Sequence, residues 1–294
     1  MQNSDGAGFF RLFEPGLRKN VVTLLHIFNE CKIRDYMNTF LKFKYSTESI
    51  GCGEEENFIL KFNEDIIADN AEDGEFLVGK ATQYMFLLEE AYKAGYPIFD
   101  IFDFNSDFAN ALSEIYDEEE NQIKQDLIDT LMGEFSVLGN DNICYFSRLE
   151  ILPRYRGFGI AKKVIRDNYK VFGSWCGLIV MNPFPLQFEL EKNHKLPFEK
   201  QMSFGDLEKD EELANKNLRT YYKSIGYIEV PGYNQMFLVP GYYNNKLESI
   251  DMDAPIQKHS MGEKANQAYL KGKCDLDRLM FEFLIKCYYE IVTH

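Results

Sequence analysis

Asn142–Lys170 reads NICYFSRLEILPRYRGFGIAKKVIRDNYK, and it decides the fold. Ile143 to Leu152 is rich in apolar, β-branched and aromatic residues, which predicts a buried strand. Pro153 ends the strand, because proline has no N–H to give a sheet ladder. Gly157 and Gly159 permit backbone angles that other residues resist. From Ile160 the apolar spacing becomes helical through Ala161, Val164, Ile165 and Tyr169. A helix opening from a glycine turn presents unpaired N–H groups and the positive end of its dipole, which together suit a phosphate. Arg154, Arg156, Lys162, Lys163 and Arg166 concentrate positive charge there, in a chain of formal net charge −15.

The surrounding composition narrows the function. The chain has 294 residues, 45% hydrophobic and 15% aromatic, enough for one large core with additions or for two domains. An acidic balance argues against a general nucleic-acid binder and is compatible with a cationic partner such as an amine. The cysteines (31, 52, 144, 176, 274 and 287) are scattered without a C-x-x-C pair. That spacing predicts neither a zinc site nor a disulfide framework and fits a reducing cytoplasm. His26, His194, His259 and His294 share no metal-ligand spacing, and His26 lies among apolar residues as a packing side chain would. The opening MQNSDGAGFF lacks the basic and apolar regions of a signal peptide, and no apolar run is long enough to span a bilayer. The expectation is a cytoplasmic protein without a membrane partner.

In chain order, residues 17–44 have apolar residues near a 3.6 period and predict helix. Residues 46–56 predict a loop, 58–68 a strand, and Asp73-Gly74 a hairpin turn. Residues 76–89 begin as a strand and run into helix; 98–104 (IFDIFDF) read as strand or extended chain. Helices are expected over 108–116, behind a cap at Asn105-Ser106-Asp107, and over 121–135. The acidic run Asp117–Glu120 reads as a solvated face. Trp175–Met181 is a second buried strand, left in extended form at Asn182-Pro183-Phe184-Pro185. The polar stretch 188–206 reads as an insertion or covering loop. A helix over 207–225 stops at Gly226, and short strands follow at 227–230 and 235–239. Beyond 240, helices are expected at 263–270 and 276–292. The second is apolar nearly all round, so it must pack on the domain or form a homodimer interface.

The order strand, Arg-Gly turn, helix, strand, helix, Gly-aromatic, strand over residues 142–239 resembles the GCN5-related N-acetyltransferase (GNAT) superfamily. The family's Arg/Gln-x-x-Gly-x-Gly/Ala turn is matched by Arg156, Gly159 and Ala161, with a second frame through Arg154, Gly157 and Gly159. Its later Tyr-x-x-x-Gly-aromatic signature is matched by Tyr222-Lys223-Ser224-Ile225-Gly226-Tyr227. The resemblance implies an α/β fold with a mixed sheet: a GNAT-like domain over 56–240, a helical segment over 1–55 packed on it, and a helical extension over 241–294. The family's N-terminal strand, helix pair and two further strands would come from 18–104.

The implied activity is transfer of an acetyl group from acetyl-CoA to an amine by direct attack. The turn N–H groups from Arg156 through Gly157, Phe158, Gly159, Ile160 and Ala161 would hold the coenzyme A pyrophosphate, with Arg154 beside them. Leu149, Glu150 and Ile151 would pair with the pantetheine arm, Asn182 would contact the cofactor, and Tyr222 would protonate the departing thiolate, with Tyr221 as a competitor. Glu150 is the one acid in the preceding strand, and either serves as general base or pairs with Arg148. The Phe184–Gln187 turn either lines the acceptor pocket or only redirects the chain. The alternative function is a non-catalytic module on the same fold that binds a CoA thioester or a protein. A nucleotide site of the G-x-x-x-x-G-K-[ST] type is missing from the sequence.

Overall fold

The computed structural model describes residues 39–49, 55–70, 74–189 and 198–256. Its centre is a seven-stranded sheet in the order β1-β2-β3-β6-β7-β9-β8. The strands are β1 (Phe40–Ser49), β2 (Ile59–Asn70), β3 (Gly74–Phe86), β6 (Ile143–Ile151), β7 (Leu178–Met181), β8 (Ile228–Glu229) and β9 (Met236–Leu238). A separate two-stranded hairpin pairs β4 (Tyr116–Asp117) with β5 (Gln122–Ile123). Every pairing is antiparallel except β6 with β7, which is parallel.

Two cores cover the two faces of this sheet. Along β6, Cys144 and Phe146 enter one core while Ile143 and Tyr145 enter the other, as strand alternation requires. The first core receives α5 (Ile160–Phe172) and α6 (Glu211–Ile225), together with the short α7 (Asn245–Glu248). The second receives α1 (Leu88–Ala94), α2 (Ile98–Phe102), α3 (Ser106–Ser113) and α4 (Gln125–Met132). The result is a mixed α/β fold in which helices lie on both sides of a mostly antiparallel sheet.

The elements that carry the opening motif fall where the sequence places them: β6, a one-turn helix from Pro153, then α5 capped by Gly159. Other expectations need correction. Residues 40–49, expected as the end of a helix and the start of a loop, form β1. The reason is visible in FLKFKYS: Leu41, Phe43 and Tyr45 are half-buried while Lys42 and Lys44 are exposed, a period of two. The sheet therefore begins inside the segment expected to be helical. Residues 98–102, expected to be extended, form α2. Pro97 sits at its N-cap, and Ile98, Ile101 and Phe102 bury one helical face. The helix expected over 121–135 starts only at Gln125, because residues 116–123 close the small hairpin, with the acidic run at its tip. The helix pair of the resembled family would lie between its first two strands. Here β1 passes to β2 through residues 50–58, and the helices α1–α4 come between β3 and β6. The helices expected at 263–270 and 276–292, and most of that at 17–44, lie outside the described residues.

Candidate functional site

The site begins where backbone pairing stops. β6 and β7 pair only at Ile143 with Leu178, Cys144 with Ile179 and Tyr145 with Val180. β6 continues to Ile151 against β3, whereas β7 ends at Met181. The ladder between β3 and β6 shifts register at Thr82/Gln83, leaving Ser147 as the extra residue of a bulge. Beyond that point no described strand pairs with β6 on its β7 side, and a cavity of about 630 Å³ opens there.

This cavity collects most of the residues singled out in the sequence. Leu149, Ile151, Arg156, Gly157, Gly159, Ile160, Ala161, Asn182 and Tyr222 all line it. Glu150, Arg154 and Phe158 do not. Phe158 is buried in the first core, and Arg154 is exposed, its guanidinium 4.7 Å from the ring centre of Tyr155. The turn Phe184–Gln187 lines the cavity as well, together with Ser147, Arg148, Lys162, Asn217 and Tyr221.

The turn has the geometry that its glycines permit. Gly157 and Gly159 have φ of +80° and +75°, in the left-handed region. The first helical bond of α5 runs from Lys163 N–H to Gly159 O at 3.5 Å, and no side chain caps the helix. The N–H groups of Ile160, Ala161 and Lys162 therefore precede the first intrahelical bond, at the positive end of a 13-residue helix. Arg156 differs from its expected part. Its N–H bonds Pro153 O, and its guanidinium donates to the carbonyls of Ile151 and Met202. It ties the turn to β6 and to the covering segment, and burial lowers its pKa against the raising effect of Asp206. Lys162 supplies a positive side chain at the cavity wall. Lys163, by contrast, is buried and donates to the carbonyls of Met252 and Ala254.

Glu150 is 5% exposed and is not among the lining residues, and Arg148 Nη2 donates to its carboxylate at 3.0 Å. The pairing with Arg148 is one of the two roles expected of Glu150. Arg148 also donates to Glu189 at 2.7 Å and lies 3.9 Å from Glu199, so it joins β6 to both ends of the covering segment. Burial pulls the Arg148 pKa down, but Glu189 and Glu150 outweigh it and the net shift is upward. The one carboxylate among the described lining residues is Glu208, whose Oε1 accepts the N–H of Lys209 and of Asp210. Sequence reasoning missed Glu208 because only the folding of 198–208 beside β6 brings it to the cavity.

Both tyrosines of α6 reach the wall, with ring centres 5.8 Å apart. Tyr222 is 9% exposed and packs edge-on against Tyr227. Burial, with Tyr221 beside it, raises the Tyr222 hydroxyl above its ordinary range. Burial also pushes Tyr221 up, to about 12. Both hydroxyls hold their protons at neutral pH and can act as donors.

Comparison with protein-family models, with curated proteins and with solved structures finds no match for this chain. Among the described residues no helix is long and apolar enough to cross a membrane.

Proposed function

We propose that the chain is a GNAT-type N-acetyltransferase that moves an acetyl group from acetyl-CoA to an amine. The observation that carries this reading is the parallel pair β6–β7 parting above Tyr145–Val180, with an uncapped glycine turn at the open end of the resulting cavity. The sheet order, with one parallel pair at its centre, supports the same reading. The free N–H groups of Ile160, Ala161 and Lys162 bind the pyrophosphate, with the Lys162 side chain adding charge. The unpaired edge of β6 at Leu149–Ile151 takes the pantetheine amides as a further strand would.

The amine nitrogen attacks the thioester carbonyl carbon, and the carbon–sulfur bond then breaks. Sulfur leaves as a thiolate and takes the hydroxyl proton of Tyr222. The nitrogen gives up its proton to Glu208, directly or through water, since Glu208 lines the cavity whereas Glu150 does not and is bonded by Arg148. Holding both reactants in one slot removes part of the entropic barrier to their encounter.

Calorimetry with acetyl-CoA tests the reading. Saturable binding is expected, weakened at least tenfold in Lys162→Glu. Absence of binding at millimolar acetyl-CoA rejects it. Binding without acetylation across a broad amine panel would leave a non-catalytic CoA-thioester module instead. Tyr222→Phe is expected to keep the affinity and slow transfer; an unchanged rate removes the acid role from Tyr222.

A further inference from the structure

Away from the cavity, a buried polar cluster joins α5 to the first three strands. Glu64 on β2 is 1% exposed, Gln83 on β3 is 0% exposed and Asn168 on α5 is 3% exposed. Gln83 Nε2 and Asn168 Nδ2 both donate to the same oxygen of Glu64, Oε2, at 2.9 and 2.8 Å. Tyr45, directly opposite Glu64 in the β1–β2 ladder, donates to Asp167 of α5 at 2.7 Å and accepts from Asn168 at 3.4 Å. The groups facing Glu64 are thus Tyr45 from β1, Gln83 from β3, and Asp167 and Asn168 from α5. No lysine or arginine among the described residues pairs with Glu64.

The remaining buried atoms of the cluster do not match one another. Glu64 Oε1, Gln83 Oε1 and Asn168 Oδ1 are all acceptors, and none has a protein donor. An ionised Glu64 would hold half its charge on an orphaned oxygen, beside a second carboxylate and without a cation. That arrangement is unfavourable in a protein interior. A proton on Oε1 changes the balance. It turns one of the three orphaned acceptors into a donor, removes the unpaired charge, and leaves Oε2 free to accept both amides.

We propose that Glu64 is a proton-holding latch: as a neutral carboxylic acid it fastens α5 to β1–β3, and on ionising it loosens that helix. The latch stands on its own packing and does not depend on the acetyl-transfer reading. Burial is the chief influence and raises the carboxyl to about 7, with Asp167 adding to the rise and the bonds from Asn168 and Gln83 opposing it. Its folded pKa thus lies above that of the unfolded chain, so protonation favours the fold. The contribution is complete below the unfolded carboxyl range and is lost as pH rises through about 7. Between pH 6 and pH 8 this amounts to about a tenfold fall in the folding equilibrium constant.

The test uses the full chain with carbon-13 at its glutamate carboxyls. One carboxyl resonance is expected to titrate near neutral pH, in the wild-type protein, and to be missing from Glu64→Gln. In urea unfolding, the wild type is expected to lose about tenfold in folding constant from pH 6 to pH 8, and Glu64→Gln to lose this step. Glutamate carboxyls that all titrate below pH 5.5 overturn the proposal, and so does a Glu64→Gln protein that keeps the wild-type step. If Glu64→Gln does not fold, the wild-type titration alone decides.

Discussion

The two halves of the sheet are held in different ways. β1, β2 and β3 pair through long ladders, from Phe40–Asp69 to Ser49–Leu60 and from Ile59–Phe86 to Asn70–Gly74. β7 and β9 pair only at Ile179–Leu238, Val180–Phe237 and Met181–Met236, and β7 meets β6 over an equally short run. The long-ladder half is fixed by backbone hydrogen bonds. The short-ladder half depends on side chains, with Met181, Met236, Phe237 and Leu238 all buried. Where backbone pairing is given up, a cavity becomes available, and the candidate site occupies it. A sheet paired along its full length would have left no unpaired β6 edge and no slot.

This contrast can be broken first at Phe237, which is 0% exposed. Phe237→Ala is expected to destabilise the protein by about 3–5 kcal/mol in urea unfolding, because packing replaces the missing ladder. A loss below about 1 kcal/mol would show that the short strands are held otherwise. Gly159→Val acts on the turn instead. A β-branched residue at a φ of +75° is strained, so acetyl-CoA affinity should fall more than tenfold in calorimetry, with a smaller loss of stability. Glu208→Gln sharpens the reading of the cavity: acetyl transfer should slow about tenfold or more while acetyl-CoA affinity stays unchanged. Tyr45→Phe touches the long-ladder half. Losing the bond to Asp167 should lower stability by about 1 kcal/mol and leave acetyl-CoA binding unaltered. The smallest effect is expected at Lys42, whose exposed bridges to Asp69 and Glu75 span β1, β2 and β3. Lys42→Ala should not change the urea midpoint measurably.

The local chemistry of the site was legible in the residues themselves. Pro153 must stop a strand, Gly157 and Gly159 must turn the chain, and the apolar spacing after Ile160 must wind a helix, whatever surrounds them. The same local logic fixed the end of α6 at Gly226. Elsewhere two periods competed. IFDIF satisfies a strand by composition, and only packing of Ile98, Ile101 and Phe102 on the second core selects helix. FLKFKYS lies at the end of a helical pattern but alternates from Leu41 to Tyr45, and pairing with β2 takes up that alternation.

What the sequence determined by itself was the glycine turn, the two strands that flank its helix, and the tyrosines of α6, since each rests on interactions within a few residues. What the tertiary structure alone decided was which distant groups meet. It brought Glu208 to the cavity wall and buried Glu64 against Gln83 and Asn168. Such meetings depend on how distant segments pack and on strand register, which is a property of paired chains that no single segment carries.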